Sequence, residues 1–184
     1  MTMIKRAIVV ILALAFVIAA VLPAEAASKK KIDRRVTEAL AEFHDVVHNA
    51  DSVLNRAEGV LVFPIITKGG LGIGYEGGNG ALQIKGKTVE YYRLDSPSIG
   101  LQLGVQQRRQ ILVFLSKDAL EKFRNSSRFE IGVDGSVALV TLDAGGEVSS
   151  ETFNKPVVAF VYGAKGLMYN ISLEGAKIHE ITPK

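Results

Sequence analysis

Glycine falls on alternate residues of a stretch that otherwise reads as β-strand, and this pattern constrains the fold more than any other in the chain. Within GVLVFPIITKGGLGIGYEGGNGALQI, residues 59–84, Gly70, Gly72 and Gly74 alternate with Leu71, Ile73 and Tyr75. Strand side chains point alternately to opposite faces, so one face carries bulk and the other is bare. The pattern recurs at Gly100, Gln102, Gly104 and Gln106, interleaved with Ile99, Leu101, Leu103 and Val105. Glycine inside strands costs stability. Two such stripes therefore imply a strongly bent sheet, another backbone held close, or a surface kept open for a ligand.

Residues 1–6 are short and basic, 7–22 are unbroken apolar, and Pro23-Ala24-Glu25-Ala26 supplies the small residues that a signal peptidase reads. The sequence predicts cleavage after Ala26, with an uncleaved anchor as the alternative. Removing 26 of the 184 residues leaves 158, the length of one domain that buries about 70% of its unfolded surface. The chain has no cysteine, which excludes disulfides, thiolate metal sites, cysteine nucleophiles and a lipid-modified cysteine. Its net charge of +3 names no partner, and only the distribution of charge is informative.

That distribution is uneven after the leader. Lys29, Lys30, Lys31, Arg34 and Arg35 crowd the start of a segment in which Ile32, Val36, Leu40, Phe43, Val47, Ala50 and Leu54 recur at three- and four-residue steps. This spacing predicts an amphipathic helix with a basic start. Asp51 and Ser52 are N-cap candidates, so the stretch divides into two helices near Asn49. The stripe packs on the sheet, and the basic end, or the whole helix, lies on anionic lipid; the two readings are compatible.

From Val60 onward the chain reads as short apolar strands. Turn signals fall at Gly77-Gly78-Asn79-Gly80, Lys85-Gly86-Lys87, Asp134-Gly135 and Gly145-Gly146. A helix interrupts at Lys117–Arg124 behind Ser116 as cap, and the closing strands are expected at 157–162 and 167–178. The expected fold is a single α+β domain over 27–184. Its sheet is mainly antiparallel and strongly curved or barrel-like, with N-terminal helices and one inserted helix.

Three patterns imitate catalytic or cofactor chemistry. Gly72, Gly74 and Gly77 satisfy G-x-G-x-x-G, but a dinucleotide site needs a helix to begin there, and here more strand follows. His44-Asp45-Val46-Val47-His48 imitates H-E-x-x-H with the shorter acid in place of glutamate. The expectation is solvated helix histidines, with His179 or a distant carboxylate as the third ligand that zinc would need. No G-x-S-x-G elbow occurs, and no cofactor is expected. Gln102, Gln106, Gln107 and Gln110 do not titrate and are expected at ordinary exposed strand positions, with a polar groove as the alternative.

Several pieces, taken in order, resemble one family. They are Ala57-Glu58-Gly59-Val60-Leu61-Val62-Phe63-Pro64, Lys68-Gly69-Gly70, Gly100-Leu101-Gln102-Leu103-Gly104-Val105-Gln106, Phe160 with Lys165-Gly166-Leu167, and Ser172-Leu173-Glu174-Gly175. From about Ala50 to its end the chain is similar to SYLF-domain proteins of the bacterial secreted type. The resemblance implies a mainly β lipid-binding module, since relatives bind phosphoinositides and other anionic phospholipids, and some eukaryotic ones bind actin filaments. Eukaryotic relatives often carry tryptophan in the stretch matching 91–98, where this chain has Tyr91-Tyr92 and no tryptophan. No SH3 or zinc-finger domain is attached, so actin binding is not expected of an exported protein.

The resulting expectation is a non-enzymatic, periplasmic or secreted domain, peripherally associated with anionic phospholipid and not with nucleic acid. Lys29, Lys30, Lys31, Arg34 and Arg35 are the primary lipid-binding candidates. Lys68, Arg108 and Arg109, beside the glycine stripes, are secondary ones. The alternative is an envelope structural or protein-interaction module that uses the glycine-striped face or an edge strand.

Overall fold

The computed structural model describes residues 28–131, 136–142, 150–165 and 175–184; at 70–73, 98–104, 150, 151 and 165 it describes the backbone alone. The expected leader lies outside the described residues. Helix α1 (Lys29–Val46) buries Ile32, Val36, Ala39 and Phe43 and exposes Thr37, Glu38 and Ala41 between them, as its three- and four-residue spacing requires. Asn49 then adopts a left-handed conformation, φ 69°, which asparagine tolerates better than most residues, and α2 (Ala50–Asn55) follows. The break falls where the sequence puts it, but the capping position is Asn49 rather than Asp51 or Ser52.

β1 (Gly59–Ile84) and β2 (Lys87–Phe114) form one long antiparallel hairpin, closed by Lys85 and Gly86 at φ 52° and 73°. Two successive positive φ values belong to the turn whose twist matches a hairpin. The register shifts at three places along the pair, between Phe63 and Ile66, Leu71 and Gly72, and Leu82 and Gln83. Pro64, which has no N–H to give the ladder, sits in the first of these. The strand curls back on itself. A Cβ at Gly78 would strike the carbonyl oxygen of Ile65, and one at Gly80 that of Val62. The bare face therefore lets two stretches of β1 lie backbone against backbone. Gly77-Gly78-Asn79-Gly80, expected as a turn, is continuous strand for this reason.

Helix α3 (Lys117–Arg124) follows β2, and the Ser116 side chain accepts the Ala119 N–H at 3.2 Å as the predicted cap. Among the described residues four shorter strands join the sheet: β3 (Phe129–Glu130), β4 (Val137–Thr141), β5 (Val157–Lys165) and β6 (Lys177–Ile181). Their order is β3-β6-β2-β5-β4, with β1 on β2. The pairings are antiparallel except for β4 on β5, whose connection contains a 3-10 turn at Ser150–Asn154. The result is the expected mostly antiparallel sheet curled into a half-barrel, with an N-terminal helix and a short inserted one. The last strand runs 177–181, whereas it was expected at 167–178; residues 166–174 and the turn signals at 134–135 and 145–146 lie outside the described residues.

Both faces of the sheet are covered, so its central strands read as continuous apolar runs rather than alternating ones. Leu61, Phe63, Leu112 and Phe114 point into the curl, where Leu120 and Phe123 of α3 close it. Val62, Ile111, Val113 and Phe160 point outward under α1 and α2. There Phe43 meets Phe160 edge-on, ring centroids 5.1 Å apart, and the Tyr162 hydroxyl donates to the Ala39 carbonyl at 2.6 Å. Burial pushes the Tyr162 phenol well above its ordinary pKa, so it remains a donor throughout the physiological range.

Candidate functional site

The basic start of α1 stands in the open. Lys29, Lys30, Lys31 and Arg34 are exposed and Arg35 is half-buried. Arg34 reaches Glu38 one turn on, at 3.8 Å with both side chains largely solvated, a pair worth little. The first turn contains no acidic residue, and the Ser28 side chain makes no capping bond; the Lys29 N–H donates instead to the backbone oxygen of Lys184 at 3.1 Å. A helix start is the positive end of the peptide dipoles. It favours carboxylates and disfavours cations by about 0.3–1 kcal/mol each. The helix dipole therefore gives folding no gain from three lysines there.

One acid in this segment has a structural task. Asp33 accepts hydrogen bonds from the Thr88 hydroxyl at 3.1 Å and from the Tyr91 hydroxyl at 3.0 Å, which fastens the start of α1 to the start of β2. Burial, reinforced by Asp33, raises the Tyr91 pKa. The same contact sets Thr88, which directly follows the hairpin turn with its exposed Lys85 and Lys87, against α1 at Asp33. Sequence reasoning read those two lysines only as part of a turn. The signal that could have promoted them is a lysine at a turn position that normally selects asparagine, aspartate or glycine.

The secondary candidates separate. Lys68 is half-buried on β1, opposite Gln106. Arg108, expected at the surface, is only 6% exposed and is ion-paired with Glu76, itself buried, while it also donates to Gln110 Oε1. Burial pushes the Arg108 pKa down, and the Glu76 carboxylate opposes that shift. Gln110, expected at an exposed strand position, is fully buried, and its Nε2 has no partner among the described residues. Arg109 is half-buried and pairs with Glu42 of α1 at 2.9 Å. Gly163, at φ 63°, leaves that pair its room, since a Cβ there would crowd Arg109. Arg108 therefore braces the inside of the curl, and Arg109 ties helix to sheet. Glu76 was legible as the one large side chain in the series Gly72, Gly74, Glu76, Gly78, Gly80.

His44 is exposed, as expected, and its ring is engaged on both sides. Its Nδ1 lies 2.7 Å from the Leu40 carbonyl oxygen and its Nε2 lies 3.0 Å from Asp51 Oδ1. Both neighbours are acceptors, so both contacts are satisfied only when the ring carries two protons. The backbone bond to Leu40 is the main cause that raises its pKa, with Asp51 adding to it and partial burial opposing. His48 instead lines a small cavity of about 150 Å³ with Asn49, Ser52, Val53, Arg56 and Phe153. The G-x-G-x-x-G glycines lie inside β1, which continues as strand to Ile84 with no helix start for a pyrophosphate.

Residues 95–183 match the family described as Ysc84, Las17-binding protein actin regulator. Over these residues the chain matches a SYLF domain. Families of this type are known for lipid binding and are generally non-catalytic. The match opens within β2 and takes in α3 and all the later strands, so the buried Arg108 and the Arg109 tie belong to the matched SYLF stretch. α1, β1 and the turn at Lys85 and Gly86 lie upstream of it. No curated protein matches the chain.

Proposed function

We propose that this SYLF domain binds anionic phospholipid head groups at a membrane surface, with Lys29, Lys30, Lys31, Arg34 and Arg35 as the capturing charges. One observation carries the reading: three exposed lysines occupy a helix start whose dipole disfavours them, while the rest of α1 obeys the rules of a packed helix. Each cation near an anionic bilayer contributes about 1 kcal/mol, which exceeds the local electrostatic cost. The apolar stripe of α1 is buried on the sheet, so α1 contributes charge to the bilayer and not an inserted helix face. Lys68 remains a secondary contact; Arg108 and Arg109 are engaged within the fold. Among the described residues no helix is long and apolar enough to cross a membrane. With residues 1–26 as an export signal, the domain would act as a peripheral protein of the periplasm or outside the cell, which is also why the actin role in the family's description is not carried over.

The test is sedimentation of the protein with phosphatidylglycerol-containing vesicles and with purely phosphatidylcholine ones. Strong binding to the first alone is expected. It should largely vanish in 1 M salt, where the Debye length is about 3 Å. Changing Lys29, Lys30 and Lys31 together to glutamate should abolish binding and leave the fold intact. Equal binding to both vesicle types would replace the reading with an apolar lipid pocket, and binding to neither would transfer it to an envelope protein partner.

A further inference from the structure

The geometry points to the β1–β2 turn as the second half of the same basic face: Lys85 and Lys87 act with the start of α1 as one anion-binding surface, which reads the charge density of a bilayer rather than the shape of one head group. The inference rests on the lipid reading above and extends it to residues of a different element. Three observations carry it. Asp33 spans from α1 to Thr88 and Tyr91, so the helix start and the strand that leaves the turn are held in register by hydrogen bonds of 3.0–3.1 Å. Lys87 adjoins Thr88, and both lysines are exposed. Lys85 sits at φ 52°, a left-handed conformation that costs a side-chain-bearing residue about 1–2 kcal/mol and that glycine or asparagine adopts more readily. Two neighbouring places thus break a local rule, one against a helix dipole and one against turn chemistry, and each does so with lysine. A common electrostatic task accounts for both.

The form of the surface sets what it can recognise. Specific head-group binding needs a walled pocket and ordered, often bidentate donors. Here the donors are long exposed lysines, and the carboxylate of Asp33 is occupied by Thr88 and Tyr91. Such a surface sums charge over several lipids.

Binding of the wild-type protein and of a Lys85→Asn, Lys87→Gln variant to vesicles of phosphatidylglycerol in phosphatidylcholine tests this, with thermal unfolding measured alongside. Each lysine removed is expected to weaken binding about fivefold, the equivalent of about 1 kcal/mol per cation. Lys85→Asn alone should raise the unfolding temperature, since asparagine suits the left-handed position, so that stability and binding move in opposite directions. Phosphatidylserine in place of phosphatidylglycerol at equal surface charge should give the same affinity. If the wild type binds and the double variant binds equally well, the turn is no part of the face, although the helix reading survives. A large preference for one head group at equal charge would overturn the charge-density claim. Absence of wild-type binding to phosphatidylglycerol would overturn both readings together.

Discussion

Arg108 and Lys30 carry the same charge and end in opposite situations. Arg108 lies on a strand, in the alternation that sends Leu112 and Phe114 into the curl, so its position commits it to the interior and it is 6% exposed. A charge survives there only beside an opposite one, and Glu76 supplies it from the far stretch of β1. Lys30 occupies the exposed side of a helix start that would be better served by an acid. The interior cation is fixed by the fold, whereas the exposed one is unneeded by it, and this is what makes Lys30 informative about function. Substitutions should separate the two regions cleanly.

The largest effect is expected at the interior pair. Arg108→Ala would leave Glu76 as a buried, unpaired carboxylate, a change that costs about 3–5 kcal/mol. Replacing both partners with apolar residues, Arg108→Met with Glu76→Leu, should recover much of the loss. Urea denaturation gives both numbers. An Arg108→Ala protein as stable as the wild type would remove the distinction between bracing and capturing cations.

The glycines sharpen the same comparison. Gly80→Val would drive a side chain into the Val62 carbonyl and the Phe63 ring, and overpacking of this kind costs about 1–3 kcal/mol or more where the obstacle is backbone. Gly69 has open space where its Cβ would stand, so Gly69→Val should leave stability unchanged or improved. Equal effects at the two positions, measured by thermal unfolding, would mean that the curl does not depend on the bare face. Gly72 and Gly104 carry the sequence pattern most plainly, and the backbone register pairs Gly70 with Gly104 and Gly72 with Gly100, so the two stripes face each other across the hairpin.

What could be read from the sequence was local. The stripe of α1, the break at Asn49, the Ser116 cap and the turn at Lys85 and Gly86 each depend on residues within a few positions of one another, and each is found. The strong curvature was also legible, because alternate glycines in a strand have few other uses. The direction of the curl was not, since Gly78 and Gly80 meet Ile65 and Val62, more than ten residues upstream. For the same reason glycines 77–80 imitated a turn. At the candidate site the helix cations were visible as a run, while Arg108 and Arg109 looked alike in sequence and differ only in which face each side chain takes. Asp33 gave no sign that it would bring the turn to the helix, because its partners lie 55 and 58 positions away.

A milder test concerns Arg109. Its pair with Glu42 at 2.9 Å is half-exposed, and pairs in such settings contribute about 0–1 kcal/mol. Arg109→Ala should therefore cost far less than Arg108→Ala and should leave vesicle binding as it was. If binding falls as steeply as it does on loss of Lys29, Lys30 and Lys31, the lipid surface extends over the outer face of the sheet beside α1.

The smallest expected effect is a pH dependence at the junction of α1 and α2. His44 makes both of its ring contacts, to the Leu40 carbonyl and to Asp51, only as the imidazolium, and its folded pKa is raised above the unfolded value of about 6.5. The unfolded chain binds this proton less tightly than the folded one. The stabilisation is therefore complete below about pH 6.5 and fades as the pH rises through the raised folded value. Asp51 is largely solvated and the ring is 41% exposed, so screening keeps the contribution small. The unfolding temperatures of wild type and His44→Ala should differ more at pH 5.5 than at pH 8.5. A gap for His44→Ala that is the same at both pH values would mean that the ring is held by packing rather than by its second proton, and the junction would then carry no pH response.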